Sequence, residues 1–268
     1  MMITENPIGL FDSGVGGTTI WREITSLMPL ENTLFLADSA NAPYGIKSKE
    51  QIIALSEKNT EYLLEQNSKI IVVACNTATT NAIAHLRSKY TVPFIGIEPA
   101  IKPVALQSRT KRVGVLATRG TLSSELFMKT SNDSVRKNGI LLVEQVGEGL
   151  VSLIESGALE SEETFRLLQK YLQPMLLQGI DYLVLGCTHY PYLLPQIRQI
   201  VPKNIQIIDS GYAVAKQTRN VMAQHKLLQK ENKHPQHRWI TNGNIEILRQ
   251  FASENIRLEQ QFFLICHQ

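Results

Sequence analysis

Cys75 and Cys187 are the side chains in this sequence best suited to moving a proton or forming a bond, and their surroundings match. The first lies in Ala74-Cys75-Asn76-Thr77-Ala78-Thr79-Thr80, directly after the apolar run 69–73. The second lies in Gly186-Cys187-Thr188-His189-Tyr190-Pro191, directly after 181–185. Each run reads as a buried strand, so each cysteine falls at the carboxyl edge of a sheet, where parallel sheets bind ligands. A thiol there, just ahead of a helix N-terminus, is expected to have its pKa lowered by the helix dipole. Two such sites imply two similar half-molecules that face each other.

Three chemistries fit a pair of cysteines on opposing walls. They can form a disulfide, act as nucleophile and helper, or sit on opposite faces of one carbon acid. In the last case a thiolate removes a proton from one face and a thiol returns one to the other. The product is the mirror image, and no cofactor is strictly required. Such acid–base work needs each group within hydrogen-bonding reach of its proton, which facing domains supply and one strand–helix unit does not. Asp12, at another strand end, is placed to orient or deprotonate a group on the Cys75 side. His189 can do the same beside Cys187, because imidazole titrates near neutrality. Asp12 also reads as a helix N-cap, and a single cysteine is more often a small buried hydrophobe. Ser13, Asn76, Thr77, Thr118, Thr121 and Thr188 lie at strand ends and, with helix N-termini, can hold carboxylates. Tyr44-Gly45 either covers a pocket or makes a turn. Cys266, beside His267, reads as structural.

Composition narrows the class. The chain has 268 residues, 43% hydrophobic and 19% charged, with a net charge of +3. That length allows two modest domains with real cores. No basic stripe with interleaved aromatics points to nucleic acid. Three cysteines without a Cys-x-x-Cys pair argue against a disulfide framework and a structural zinc, and for a reducing compartment. Without a signal peptide or a run approaching a membrane span, a cytoplasmic protein with no bound metal is expected.

The elements that must position these residues alternate. Strands are predicted over 7–11, 32–37, 69–73, 93–97, 112–116, 141–143, 181–185, 206–208 and 238–241. Helices are predicted over 18–27, 49–66, 79–90, 123–138, 149–155, 162–177, 194–200, 212–225 and 244–251. This pattern implies an α/β protein of two doubly wound domains with mainly parallel sheets. Glu98-Pro99 reads as the crossing point. Residues 1–98 plus 209–268 then make a first domain carrying Cys75, and 99–208 a second carrying Cys187, with the tail packing back on the first half. The run Asp12-Ser13-Gly14-Val15-Gly16-Gly17 opens a helix, but without Gly-x-Gly-x-x-Gly it is a weak nucleotide signal. Asp209-Ser210-Gly211 repeats its first three residues. The stretch 226–237, with His225, His234 and His237, reads as a solvated linker, because the histidines lack ligand spacing.

In combination, Leu10-Phe11-Asp12-Ser13-Gly14-Val15-Gly16-Gly17, Asp38-Ser39, Pro43-Tyr44-Gly45, Cys75-Asn76-Thr77-Ala78-Thr79-Thr80, Gly96-Ile97-Glu98-Pro99-Ala100 and Gly186-Cys187-Thr188-His189-Tyr190-Pro191 resemble the glutamate racemase family, part of the aspartate/glutamate racemase superfamily. The resemblance spans most of the chain in the family's order. It implies two domains related by a pseudo-two-fold axis with the substrate between them. It also implies cofactor-independent interconversion of L- and D-glutamate, supplying D-glutamate for peptidoglycan synthesis, and a homodimer. Carried over by position, Cys75 takes the proton from D-glutamate and Cys187 from L-glutamate, assisted by Asp12 and His189 respectively. Asp12-Ser13, Tyr44-Gly45, Asn76-Thr77 and Thr188-His189, with Thr118, bind substrate. Asp38 and Glu155 match further acidic positions. The family often has Cys-Pro where this chain has Gly147-Glu148-Gly149. Members with an N-terminal extension respond to a cell-wall precursor. Asp12 lies so near Met1 that no such regulation is expected. Aspartate and hydantoin racemases share the architecture and are the nearest rivals. A non-catalytic amino-acid-binding protein is a rival of another class, although binding needs no thiols.

Overall fold

The computed structural model describes residues 3–253 and 260–264. The first part of the chain runs β1 (Ile8–Asp12), α1 (Thr18–Leu27), β2 (Thr33–Ala37), α2 (Lys49–Glu65), β3 (Ile70–Val73), α3 (Asn76–Lys89) and β4 (Phe94–Gly96). After α4 (Ile101–Gln107) come β5 (Arg112–Ala117), α5 (Arg119–Leu122), α6 (Glu125–Asn138), β6 (Leu141–Val146), α7 (Leu150–Glu155), α8 (Glu162–Leu177), β7 (Tyr182–Gly186), α9 (Leu194–Ile200) and β8 (Gln206–Ile208). The chain ends with α10 (Gly211–Gln224), β9 (His237–Thr241), α11 (Ile245–Ser253) and β10 (Gln260–Leu264).

These strands form two parallel sheets, ordered β10-β9-β2-β1-β3-β4 and β6-β5-β7-β8. Counted in chain order within each half, β2-β1-β3-β4 and β6-β5-β7-β8 are the same arrangement, so one topology is used twice. The near-continuous apolar runs of β1, β2, β3 and β7 are what strands covered on both faces by helices require. One apolar cluster continues from Leu10, Phe35 and Val72 in the larger sheet to Leu116, Leu183 and Leu185 in the smaller. Trp21 of α1 packs on Trp239 of β9, which packs on Phe35 of β2.

Several boundaries differ from the sequence expectation for identifiable reasons. Helix α3 starts at Asn76, not 79, because Cys75 caps it: its sulfur accepts from the Ala78 amide at 3.4 Å. The β-branched threonines there lower helix propensity and hide the start. Strand β6 runs on to Val146, its Glu144 and Gln145 being tolerable on a sheet edge. The short α4 is an addition to the expected elements. Its Pro103 sits in the first turn, where a missing N–H costs nothing.

The expectation of a solvated linker over 226–237 holds for Lys226, Lys230, Lys233 and His234, which are exposed, and is corrected at His237. His237 opens β9 and is 2% exposed, with Nδ1 2.8 Å from Thr33 Oγ1. Burial pulls its pKa down to about 4. Upstream, the Gln229 amide donates to Glu31 Oε1 at 2.7 Å. The segment is tied down because β9 lies inside the sheet, between β2 and β10. Cys266 and His267 lie outside the described residues.

Glu31 also makes a buried ion pair with Lys69, Nζ to Oε2 at 2.5 Å, and Nζ donates to the Thr4 carbonyl at 2.6 Å. Both side chains are almost fully enclosed, so each charge depends on the other. Lys69→Met should destabilise the protein by about 3–5 kcal/mol in urea unfolding, and adding Glu31→Leu should recover most of that loss. A single variant as stable as the parent would contradict this account.

Candidate active site

Asp12 and Cys75 stand at the carboxyl ends of adjacent strands, β1 and β3. Thr118 and Cys187 stand at the corresponding ends of β5 and β7. In each sheet this is the point where successive connections leave in opposite directions, which opens a crevice. The two crevices face each other across one narrow cleft. Ser13, Pro43, Tyr44, Gly45, Cys75, Asn76, Thr77, Thr118, Val151, Cys187, Thr188 and His189 line it. The residues predicted from the sequence to contact substrate are therefore on one wall or the other, except Asp12 and Thr121, which are fully buried behind the lining.

Asp12 is fully buried and does two jobs. Its Oδ2 accepts from the Gly17 amide at 2.7 Å, as a cap would, and from Thr188 Oγ1 of the opposite half at 3.4 Å. Burial raises its pKa to about 6, against the opposing pull of His189 and with a further push from Glu155. The Cys75 thiol donates toward Ser13 Oγ at 3.6 Å. Its pKa is pushed well up, first by burial and then by the Asp12 charge. The expected lowering by the helix dipole is thus overridden: the Ala78 amide does favour the thiolate, but desolvation is the larger effect. Both cleft cysteines are free thiols.

On the other wall, His189 Nδ1 lies 3.7 Å from Cys187 Sγ, and Nε2 lies 2.5 Å from Glu155 Oε1. The Gly16 amide is 3.3 Å from the same Nε2. An ionised carboxylate only accepts, so Nε2 must carry the proton bound to Glu155 and cannot also accept from Gly16. Burial opposes protonation of His189. The hydrogen bonds and charges of Cys187 and Glu155 outweigh it and lift the pKa well above the ordinary range.

Glu155 ends α7 and reaches across the cleft. Its Oε1 also accepts from the Val15 amide at 2.6 Å, and Oε2 accepts from Ser39 Oγ at 3.0 Å. This contact explains the glycine-rich first motif. A Cβ on Gly14 would lie 1.8 Å from Glu155 Oε1, and one on Gly16 would lie 2.3 Å from His189 Nδ1. The glycines make room for side chains of the other half.

The remaining polar groups divide between closure and an unfilled role. Thr77 Oγ1 lies 2.8 Å from Thr118 Oγ1 and 3.3 Å from Thr121 Oγ1, and Asn81 donates to the Gly120 carbonyl at 2.9 Å. These bonds join the halves. Tyr44 is buried, its hydroxyl bonded to Asp38 and receiving Asn59 Nδ2 at 3.0 Å, so the Tyr44-Gly45 turn covers the cleft. Asn76 is 3% exposed, yet neither its amide nitrogen nor its oxygen has a partner. Buried amides are rarely left so. Asp209-Ser210-Gly211 is not part of this cleft: Ser210 Oγ donates to the Glu98 carbonyl at 2.5 Å, where the chain crosses between halves.

Sequence reasoning reaches Glu155 only as a family position, quotes Ser39 and Pro43 only inside family motifs, and misses Val151, Asn59 and Asn242. Glu155 does carry a local signal: an acid in the last turn of a helix opposes the helix dipole and needs a partner. Among the described residues no cluster of His, Cys, Asp and Glu could hold a metal, and no helix is long and apolar enough to cross a membrane.

Comparison with known proteins agrees with this geometry. Residues 19–218 match the model of the Asp/Glu/Hydantoin racemase family. Over 241 residues the chain is 44% identical to the glutamate racemase of Herpetosiphon aurantiacus, covering 90% of this chain and 94% of that one. Its fold matches a glutamate racemase isoform from Bacillus anthracis with a TM-score of 0.85 and 27% identity over 98% of each chain. It matches the glutamate racemase of Francisella tularensis, solved in complex with D-glutamate, with a TM-score of 0.83 and 26% identity over 98% of each chain. The chain belongs to the Asp/Glu/Hydantoin racemase family and is an isomerase. Within that family, the relatives it matches at this level are glutamate racemases.

The Asp12 shift has a consequence for stability. Its pKa is about 6 folded against an ordinary 3.8, so the stability it contributes is complete below about pH 4 and is lost as pH rises through 6. Asp12→Asn should therefore be more stable than the parent above pH 6, by about 2–3 kcal/mol, with the gap closing in acid. Equal urea midpoints for the two proteins near neutrality would refute this.

Proposed function

We propose that this chain interconverts L- and D-glutamate by a two-thiol mechanism that uses no cofactor. The observation that carries the reading is that Cys75 and Cys187 line one buried cleft from the strand ends of different sheets. Each has its own acid–base companion: Asp12 beside Cys75, and His189 beside Cys187. A stereocentre between them is open to attack on either face.

In the direction from D-glutamate, the Cys75 thiolate takes the α-proton. The C–H bond breaks as S–H forms. The Cys187 thiol then gives its proton to the opposite face of the same carbon. Cys75 ends as thiol and Cys187 as thiolate, and L-glutamate reacts by the reverse path. Asp12 is placed to exchange the Cys75 proton before turnover, because a carboxyl with a pKa of about 6 is mostly ionised at neutral pH. His189 exchanges a proton with Cys187 and is held to that task by Glu155. The unpartnered Asn76 amide, with Ser13, Thr77, Thr118, Thr188 and the Tyr44-Gly45 turn, supplies donors and an acceptor for the two carboxylates and the ammonium of the substrate. The identity of the relatives supports glutamate rather than aspartate or a hydantoin.

The same reading takes residues 1–98 plus 209–268 as one domain and 99–208 as the other. In its favour, the chain leaves the larger sheet after β4 and returns to it by pairing β9 with β2. It also takes the protein as a cytoplasmic homodimer that supplies D-glutamate for peptidoglycan, as the resemblance to bacterial glutamate racemases implies.

Purified protein should racemise glutamate without pyridoxal phosphate, and in deuterated water the product enantiomer should carry α-deuterium. Chiral separation reads the first and mass spectrometry the second. Cys75→Ser and Cys187→Ser should each lose at least about 100-fold in kcat, whereas Cys266→Ser should retain activity. Full racemisation by either of the first two variants would end the two-thiol proposal. Turnover of aspartate but not glutamate would move the substrate assignment and leave the mechanism standing.

A further inference from the structure

We propose that the turn closing β9, through Asn242 and Gly243, positions the Tyr44 wall on the Cys75 side of the cleft and the Glu155–His189 pair on the Cys187 side at once. The inference rests on the two-thiol reading above.

The turn grips residues 38–41, which connect β2 to the wall of the cleft. Asn242 Nδ2 donates to Asp38 Oδ1 at 2.5 Å, and Asn242 Oδ1 accepts from the Ala40 amide at 2.9 Å. A side-chain amide can donate to a carboxylate and accept from a backbone N–H at the same time. Gly243 closes the grip: a Cβ there would lie 2.5 Å from Ser39 Cβ. The turn is itself anchored, because Thr241 Oγ1 donates to the Ala37 carbonyl at 3.0 Å and accepts from the Gly243 amide at 3.0 Å.

Two arms leave the gripped segment. In one, Asp38 Oδ2 holds the Tyr44 hydroxyl, and Asn59 Nδ2 braces the same hydroxyl at 3.0 Å. Tyr44 lines the cleft with Cys75, close enough for the two groups to act on each other electrostatically. In the other, Ser39 Oγ donates to Glu155 Oε2 at 3.0 Å, Glu155 Oε1 holds His189 Nε2 at 2.5 Å, and His189 Nδ1 faces Cys187 Sγ at 3.7 Å. Adjacent residues of one turn thus reach the two thiols by separate routes. Neither Asn242 nor Gly243 lines the cleft, so both act through other residues. A shift of the turn therefore disturbs the Tyr44 wall on the Cys75 side and the Glu155–His189 pair on the Cys187 side together.

The experiment uses the full chain. Asn242→Ala removes both bonds. Asn242→Asp keeps the shape and the acceptor but sets a carboxylate against Asp38. Ser39→Ala cuts the second arm only. Rates are measured from each enantiomer, with protiated and α-deuterated glutamate, alongside thermal unfolding. L- and D-glutamate have equal free energy in water, so kcat/KM must change equally in the two directions. The isotope effects are not bound in this way, and they report which proton transfer has slowed.

Both Asn242 variants should lose about tenfold or more in kcat, with larger isotope effects from both enantiomers. Ser39→Ala should enlarge the effect chiefly from L-glutamate. Combining Ser39→Ala with Asn242→Ala should cost less than the sum of the two, because they share one route. Folded Asn242 variants with parental kcat and isotope effects would overturn this inference alone, as would losses that only track the unfolded fraction. Parent protein that fails to racemise glutamate, or that survives loss of either cleft cysteine, would overturn the two-thiol reading and this inference with it.

Discussion

One carboxylate, on Glu155, spans the join between the halves, and much of the local geometry follows from keeping it satisfied. It is largely enclosed, and an enclosed anion needs donors on every side. Three supply them: the Val15 amide and the Ser39 hydroxyl from one half, and the His189 ring from its own. The reach to Val15 is possible only because Gly14 has no side chain, and the neighbouring imidazole requires the same of Gly16. A motif that resembles a phosphate-binding turn is thereby used for contact between two parts of one chain.

Burial sets the electrostatics of the cleft. The Asp12 carboxyl, the Cys75 thiol and the Tyr44 hydroxyl all have raised pKa values, chiefly because water is excluded. His189 moves the other way relative to its burial, since its contacts with Cys187 and Glu155 outweigh the loss of solvent. Proton-holding groups on both walls are therefore shifted by surroundings rather than by their own chemistry. Asn76 differs from the other polar side chains of the lining in having both an idle donor and an idle acceptor. Its neighbours Ser13, Thr77, Thr118, Thr188 and His189 all have partners. That amide is therefore the best internal sign of where a polar ligand belongs.

Much of this is legible in the order of residues alone. The apolar runs before Cys75 and Cys187 are strands, the predicted strands and helices recur in the predicted order with α4, α5 and β10 added, and both thiols stand at carboxyl edges. The misreadings share a cause. The stretch before His237 is polar and looks like a free linker, yet it is held because β9 inserts beside β2, a pairing between residues some two hundred positions apart. Threonines disfavour helices and so delay the predicted start of α3, whereas a capping sulfur decides the actual one. A helix dipole can be inferred from local sequence and makes Cys75 look acidic, while the burial that overrides it cannot be inferred that way. Asn59 and Asn242 escape sequence reasoning, and Ser39 enters it only as part of a motif, because each is an ordinary polar residue whose meaning lies in its partner.

By itself the sequence determined what depends on neighbours along the chain: which segments are strands and helices, where each cysteine falls on its strand, and which residue types stand at the turns. Those follow from periodicity, propensity and the length of apolar runs. Only the tertiary structure decided that the two strand ends share one cleft, that Glu155 joins Val15 and Ser39 to His189, and that the Cys75 thiol is more weakly acidic than its helix would make it. The reason is that desolvation and hydrogen bonding depend on distances in space, and a chain's order along its length does not contain them until it has folded.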